Sequence, residues 1–579
     1  MKTKFQFLLV GAFLGAVNAA LGQQPTFTKI TSGDIVQDTG DFTRCAWGDF
    51  NNDGFLDLLV ANWGSTNLFY RNNRDGTFTR MAQGDPVEEA DYHMSPVWGD
   101  YDNDGNLDLL ACAGASAPSA RRNLLYHNNG DGTFSGASGG GLTNQLGFFN
   151  AAAWADYDSD GFLDVFITYG FDSNGGGGKC LLLHNNGDGT FTKVTAGSVV
   201  NDIGVGTAAL WADYDNDGSM DLLVVNVAPY IVNYLYHNNG HGTFTRILTN
   251  TLATDQWPSG AGGGAWGDYD NDGLLDLFIT SRGGVPNSLY HNQGGGVFEK
   301  VASAPMLDLP SGAEGRGCTW GDYDNDGYLD LLITYADGNN GLFHNNGDGT
   351  FTQILSGPPV DDGGPGFTCF AVSWVDYDND GFLDLFVTGQ PDSGSPHSNF
   401  LYHNNGNTNA WLEVNCIGTV ANRSAIGTKV RVRATIRGKT VWQMREINNG
   451  GGFDTVPLVA HFGLGDATNV DIVRLEWPSG TVQELHDQAT KQILKVTEPP
   501  RLSAALTNGV PQFSLKGGRG LFYQIETSTD LSKWSPIIGA VTITNFDGTA
   551  QIMDTNASGV DRRFYRASQL PGFLDTSLR

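Results

Sequence analysis

The chain has 579 residues, 63 acidic against 33 basic side chains, a formal charge of -30, and 79 glycines. This charge excludes a nucleic-acid partner, because a phosphate backbone needs a basic footprint. The 40% hydrophobic content, with 33 Phe, 19 Tyr and 13 Trp, excludes a disordered acidic chain, and the length calls for several domains or one large repeat array.

Lys2 and Lys4 precede an apolar run from Phe5 to Val17, and the small residues that follow suit cleavage after Ala19 or Gly22. Residues 1–22 therefore read as a secretory signal peptide. The run falls short of the roughly 20 apolar residues that span a bilayer, so a secreted or cell-envelope location is expected, with no transmembrane segment in the mature chain. The six cysteines lie mostly inside strand-like apolar runs and are expected to be buried free thiols.

Trp47, Trp98, Trp154, Trp211, Trp266, Trp320 and Trp374 each precede an aspartate-rich nonapeptide by two residues, at spacings of 51, 56, 57, 55, 54 and 54. Each period leaves room for four short strands. Such a unit cannot bury both faces alone, so the expected fold is all-β, a seven-bladed β-propeller over residues 25–407. A strand motif built on Phe78, Phe134, Phe191, Phe244, Phe298 and Phe351 follows six of the loops. After the seventh it is missing, and its counterpart is at the other end of the chain, in Pro25–Ile30. The N-terminal segment is thus expected to supply the outer strand of the last blade and clasp the ring.

The nonapeptides read D-x-[DN]-x-D-G-x-x-D. Their acidic and amide positions are Asp49, Asn51, Asp53 and Asp57; Asp100, Asp102, Asp104 and Asp108; Asp156, Asp158, Asp160 and Asp164; Asp213, Asp215, Asp217 and Asp221; Asp268, Asp270, Asp272 and Asp276; Asp322, Asp324, Asp326 and Asp330; and Asp376, Asp378, Asp380 and Asp384. Alternating hard oxygen ligands around a Gly turn fit Ca²⁺, and about seven structural calcium sites are expected. An EF-hand would place a bidentate Glu at position 12, where the first copy has Val60. The loops hold 27 of the 63 acids, leaving 36 against 33 bases elsewhere, so the acidity belongs to the loops. His127, His184, His237, His291, His344 and His403 recur in the Leu-Tyr-His-Asn-Asn segments, with Arg71 in the first copy; their repetition points to packing or turn support.

The metal loops and the tight Gly turns connect strands at one face of the ring with constant lengths, whereas connections at the other face vary. Recognition is expected on the variable face, where Trp63, Tyr92, His93, Phe148, Phe171, Tyr230, Trp257 and Tyr335 offer aromatic or imidazole surface for a glycan or protein.

With these motifs the sequence resembles the FG-GAP/VCBS repeat family of integrin-type propellers. Residues 408–497 resemble the ASPIC/UnbV domain through Asn409-Ala410-Trp411-Leu412, Asn422-Arg423-Ser424-Ala425-Ile426-Gly427, His461-Phe462-Gly463-Leu464-Gly465 and Trp477-Pro478-Ser479-Gly480. This order of domains is similar to that of the cartilage acidic protein family. Where relatives tend to have Gly-Tyr-x-Ser-Gln, this chain has Gly452-Phe453-Asp454-Thr455-Val456. After Pro499-Pro500, alternating segments in residues 501–572 suggest a small β-sandwich. The leading expectation is a secreted, calcium-stabilised binding or adhesion protein with no catalytic residues assigned. The alternatives are an enzyme at the variable face, using an acid–base pair among Asp91, His93, Asp202 and Asp255, and a biosynthetic accessory protein of UnbV type.

Overall fold

The computed structural model describes residues 26–570, apart from 83, 85, 87–89, 92, 115–118, 228–231, 364–366, 392–396, 451, 454–455, 508–509, 519–520, 530, 538–540, 543–547 and 555–562. It is a seven-bladed propeller carrying C-terminal β domains. The innermost strands are Phe42–Gly48, His93–Gly99, Phe149–Ala155, Gly206–Ala212, Ala261–Gly267, Glu314–Gly321 and Phe367–Val375. Each touches the next, and the last touches the first, so the ring is closed.

Within a blade the strands pair antiparallel in chain order. In blade 1 these are Phe42–Gly48, Asp57–Asn62, Leu68–Asn72 and Phe78–Met81. The second strand is buried along its whole length, because neighbouring blades cover both faces of each sheet. This is why it reads as the continuous apolar run Asp57-Leu58-Leu59-Val60-Ala61 and not as an alternating one. Blade spacing is set where a glycine follows the repeated tryptophan. A Cβ on Gly48 would lie 2.7 Å from Trp98, and one on Gly321 would lie 2.5 Å from Trp374, closer than carbon atoms approach. The indoles of Trp98, Trp211 and Trp320 also donate to carbonyls of the preceding blade, at Ala46, Ala153 and Ala265.

The ring closes as the displaced motif implied. Phe27–Lys29 pairs with the third strand of blade 7, Phe400–Asn404, placing Phe27 opposite Asn404, just as Phe78 lies opposite Asn72 in blade 1. Phe27 is 8% exposed and packs on Tyr323 and Trp374. Lys29 reaches Asp362 at 2.6 Å, and Tyr402 donates to the same carboxylate. The same arrangement of aspartate, strand-three tyrosine and outer-strand cation recurs as Asp38–Tyr70–Arg80, Asp202–Tyr236–Arg246 and Asp255–Tyr290–Lys300.

Beyond the ring, Ala410–Ile417, Ala460–Gly465 and Gln492–Thr497 form one sheet. Lys439–Glu446, Lys429–Ile436, Asn469–Glu476 and Val482–Ala489 form another. Their shared apolar core includes Leu412, Val430, Val432, Phe462 and Leu475. Sheets built on Val510–Lys516 and Phe522–Ser528 follow, cored by Phe513, Leu515, Tyr523 and Ile525. All six cysteines are buried thiols, none of them in a disulfide. Residues 1–22, where the sequence leads one to expect a signal peptide, lie outside the described residues; among those described, no helix is long and apolar enough to cross a membrane.

Phe27→Ala removes a buried ring from the closing strand and is expected to destabilise the protein by about 3 kcal/mol, read as a lower denaturant midpoint. A midpoint equal to the parent's would show that this strand does not hold the ring shut.

Candidate metal centres

Each aspartate loop links the end of an innermost strand to the second strand, so all seven lie on one rim. Position 1 folds the loop over itself. The Asp49 carboxylate accepts from the amides of Asp53 and Gly54, both at 2.9 Å, and the same two bonds recur at Asp100, Asp156, Asp213, Asp268, Asp322 and Asp376. Position 9 is at most 1% exposed in every blade. There Asp57, Asp108, Asp164, Asp221, Asp276, Asp330 and Asp384 accept from the amide of the strand-three asparagine at 2.7–2.9 Å.

Two sets of inter-blade bonds run through these loops. The side chains of Asn72, Asn128, Asn185, Asn238, Asn292, Asn345 and Asn404 each donate to the position 2 carbonyl of the preceding blade at 2.7–2.8 Å, all the way round the ring. At position 4, Asn52, Asn103, Asn216, Asn271, Asn325 and Asn379 have positive φ. Each donates to the position 6 glycine carbonyl of the next blade at 2.9–3.3 Å. Blade 3 has Ser159 at that position, with φ 60°.

The electrostatics are those of crowded, desolvated carboxylates. Burial, reinforced by loop neighbours, pushes Asp57 and Asp268 up to about 8 and Asp221 up to about 9. It raises Asp100, Asp156, Asp322 and Asp376 well above the carboxylate range. Oxygens of Asp57, Asp158, Asp215, Asp221 and Asp378 are buried without a hydrogen-bond partner among the described residues. Such a donor set fits a hard divalent cation, which replaces lost hydration and cancels the repulsion.

The repeated histidines are more than turn support. Nδ1 of His127, His184, His237, His291, His344 and His403 lies 3.0–3.2 Å from the position 9 carboxylate and 3.3–3.5 Å from position 3. Groups such as Asp102, Asp104 and His127 are close enough to hold one ion together. Three loops also carry a built-in cation: Arg74 on Asp53 at 2.9 Å, Lys429 on Asp213 at 2.7 Å, and Arg437 on Asp326 at 3.6 Å.

The variable-face candidates are dispersed. Trp63, Phe148 and Phe171 are half-buried at the rim, with Phe148 edge-on to Tyr169. Trp257 and Tyr335 are 3% and 1% exposed and pack inside blade cores, so their role is packing and not ligand contact. Tyr92, Tyr230 and the side chains of Asp91 and His93 lie outside the described residues. Asp202 and Asp255 are committed to the tyrosine–cation bridges described above, not to an acid–base pair.

The C-terminal domain covers the loop face. Ser424 accepts from the Asp100 amide, Lys429 grips Asp213, Asn325 accepts from the Gly465 amide, and His461 meets the Gly381 carbonyl. Phe453 enters the ring axis, with its ring 4.7 Å from the Arg44 guanidinium and 5.4 Å from Phe370, and its carbonyl accepting from Val372. Arg44 is 0% exposed and spans the channel to the carbonyls of Asn150 and Thr207.

The model for FG-GAP-like repeats matches residues 49–111, 113–167, 170–224, 227–279, 268–333 and 322–387. The chain belongs to the FG-GAP-like repeat family. Residues 418–503 match the ASPIC and UnbV model. This FG-GAP-like chain is 27% identical to cartilage acidic protein 1 of Mus musculus over 82% of its own length and 77% of the relative's. It is also 27% identical to the Homo sapiens protein of that name, over 83% and 76%. Among solved structures, an Agrocybe aegerita lectin described for recognition of non-reducing terminal N-acetylglucosamine aligns at 18% identity, covering 57% of this chain and 79% of that one with a TM-score of 0.37.

Ser159→Asn is expected to complete the position 4 ring by donating to the Gly218 carbonyl, raising stability by about 1 kcal/mol. Chemical denaturation of the variant checks this, and an unchanged or lower midpoint counts against the ring's contribution.

Proposed function

We propose that this protein is secreted after removal of residues 1–22 and acts as a calcium-stabilised extracellular binding or adhesion protein for a glycan or protein ligand. In this reading residues 25–407 form the propeller, 408–497 the ASPIC/UnbV domain and 501–572 the terminal sandwich. Positions 1, 3, 5 and 9 of the seven loops hold Ca²⁺ as a structural ion. The variable face, opposite the docked C-terminal domain, takes the ligand, and Trp63, Phe148 and Phe171 are its contact residues among those described.

The observation that carries this reading is the filled axis. Arg44 bridges the channel and Phe453 packs against it, which closes the axis toward the variable face and leaves the central cavity on the other side of this plug, beneath the C-terminal domain. Of the four residues among which a catalytic pair was expected, Asp202 and Asp255 are tied to tyrosine and a basic residue, and the side chains of Asp91 and His93 lie outside the described residues. What remains is a rigid scaffold with variable edges, an arrangement suited to recognition.

The mature chain, screened against glycan and extracellular-protein arrays, is expected to give calcium-dependent hits that Trp63→Ala and Phe148→Ala weaken by about 10-fold or more. Hits unaffected by both rim substitutions, or turnover of a bound compound, would contradict the assignment.

A further inference from the structure

Between the loop face and the C-terminal domain lies a cavity of about 620 Å³. Glu413 of the C-terminal domain is on its wall, 5% exposed, and its carboxyl hydrogen-bonds that of Asp376, position 1 of the seventh loop, which is 4% exposed. The other charges acting on Glu413, from Asp380 and Asp384, are also acidic. Five carboxylates therefore gather at this loop, four of its own and Glu413; the fourth loop likewise receives Glu446 from the C-terminal domain, which accepts from the Asp213 amide. Directly across the strand pair from Glu413 stands His461, 9% exposed. Its Nε2 lies 3.2 Å from the Gly381 carbonyl of the same loop, while its Nδ1, on the cavity wall, has no hydrogen-bond partner among the described residues. With the proton on Nε2 toward that carbonyl, Nδ1 presents a lone pair. A shared proton holds the carboxyl pair together without metal, and a divalent cation would displace that proton and engage both carboxylates and the unused imidazole lone pair. Loop 4 shows the opposite solution, since Lys429 of the same domain already places its ammonium 2.7 Å from Asp213.

We propose that the seventh loop and the C-terminal domain share one divalent-cation site, with Glu413 as a ligand from the C-terminal side, so that the ion latches this domain onto the ring. The proposal rests on the reading that the loops hold Ca²⁺, and it adds an inter-domain ligand and a docking role for one ion. Oxygen donors dominate the set, which selects Ca²⁺ over softer ions.

The test uses the full mature chain and calcium alone. In the parent, calcium is expected to slow amide exchange in Ala410–Ile417 and Ala460–Gly465, and titration calorimetry is expected to resolve a tight site. Glu413→Gln, which keeps the shape and removes the charge, is expected to weaken one site by about 10-fold or more and to abolish that protection. Glu484→Gln, which removes a carboxylate paired with Arg474 on an outer strand of the same domain, is expected to leave both intact. If calcium binds the parent but Glu413→Gln retains its affinity and its exchange protection, the shared site is wrong while the loop reading stands. If the parent binds no calcium, both fall. Calcium binding that leaves exchange in these two strands unchanged in the parent overturns the latch without recourse to any variant.

Discussion

The structure depends on one constraint: seven loops each bury acidic side chains on a single rim of the ring. Position 9 of every loop is inside the protein, where an ionised carboxylate without compensation is costly. The protein's own hydrogen bonds compensate part of this through backbone amides, and the histidines contribute a further polar contact. The remaining acidity, visible as carboxylates pushed toward and above neutral pH, asks for cations. The same loops carry both rings of inter-blade asparagine bonds, so whatever orders the loops also orders the contacts between blades.

This coupling assigns different work to the two faces. The loop face is uniform in length and chemistry, and the C-terminal domain uses that uniformity as a docking platform, touching loops of several blades and sending Phe453 into the axis. The opposite face varies in the length of its connections, and its aspartate–tyrosine–cation bridge recurs in four blades. In the proposed function, recognition and scaffolding are separated by the direction in which each strand ends.

Much of this was legible in the sequence. The tryptophan period fixed the blade count, and the displaced Phe27 motif located the closing strand, because both are repeats whose interruption is informative. The candidate metal positions could be named because alternating aspartates around a glycine have few other uses. Other features were not legible. Position 4 looked like a free position, although asparagine there both adopts the left-handed conformation and reaches the next blade. The recurrence of Asn at that place, broken by Ser159, was a signal that could have been followed. The histidines were assigned to packing because repetition argues against catalysis, yet repetition is also what a metal-adjacent residue would show. Trp257 and Tyr335 lie in segments of variable length but turn inward, and side-chain direction at a strand end is set by packing that a spacing count does not contain. The docking of Phe453 and Glu413 joins residues far apart in the chain, with no local pattern to announce it.

The most direct test of the central claim is the melting temperature of the mature protein at neutral pH in calcium and in excess chelator. The account predicts a fall of about 10 °C or more on chelation, restored by added calcium. An identical melting temperature in both conditions would contradict it.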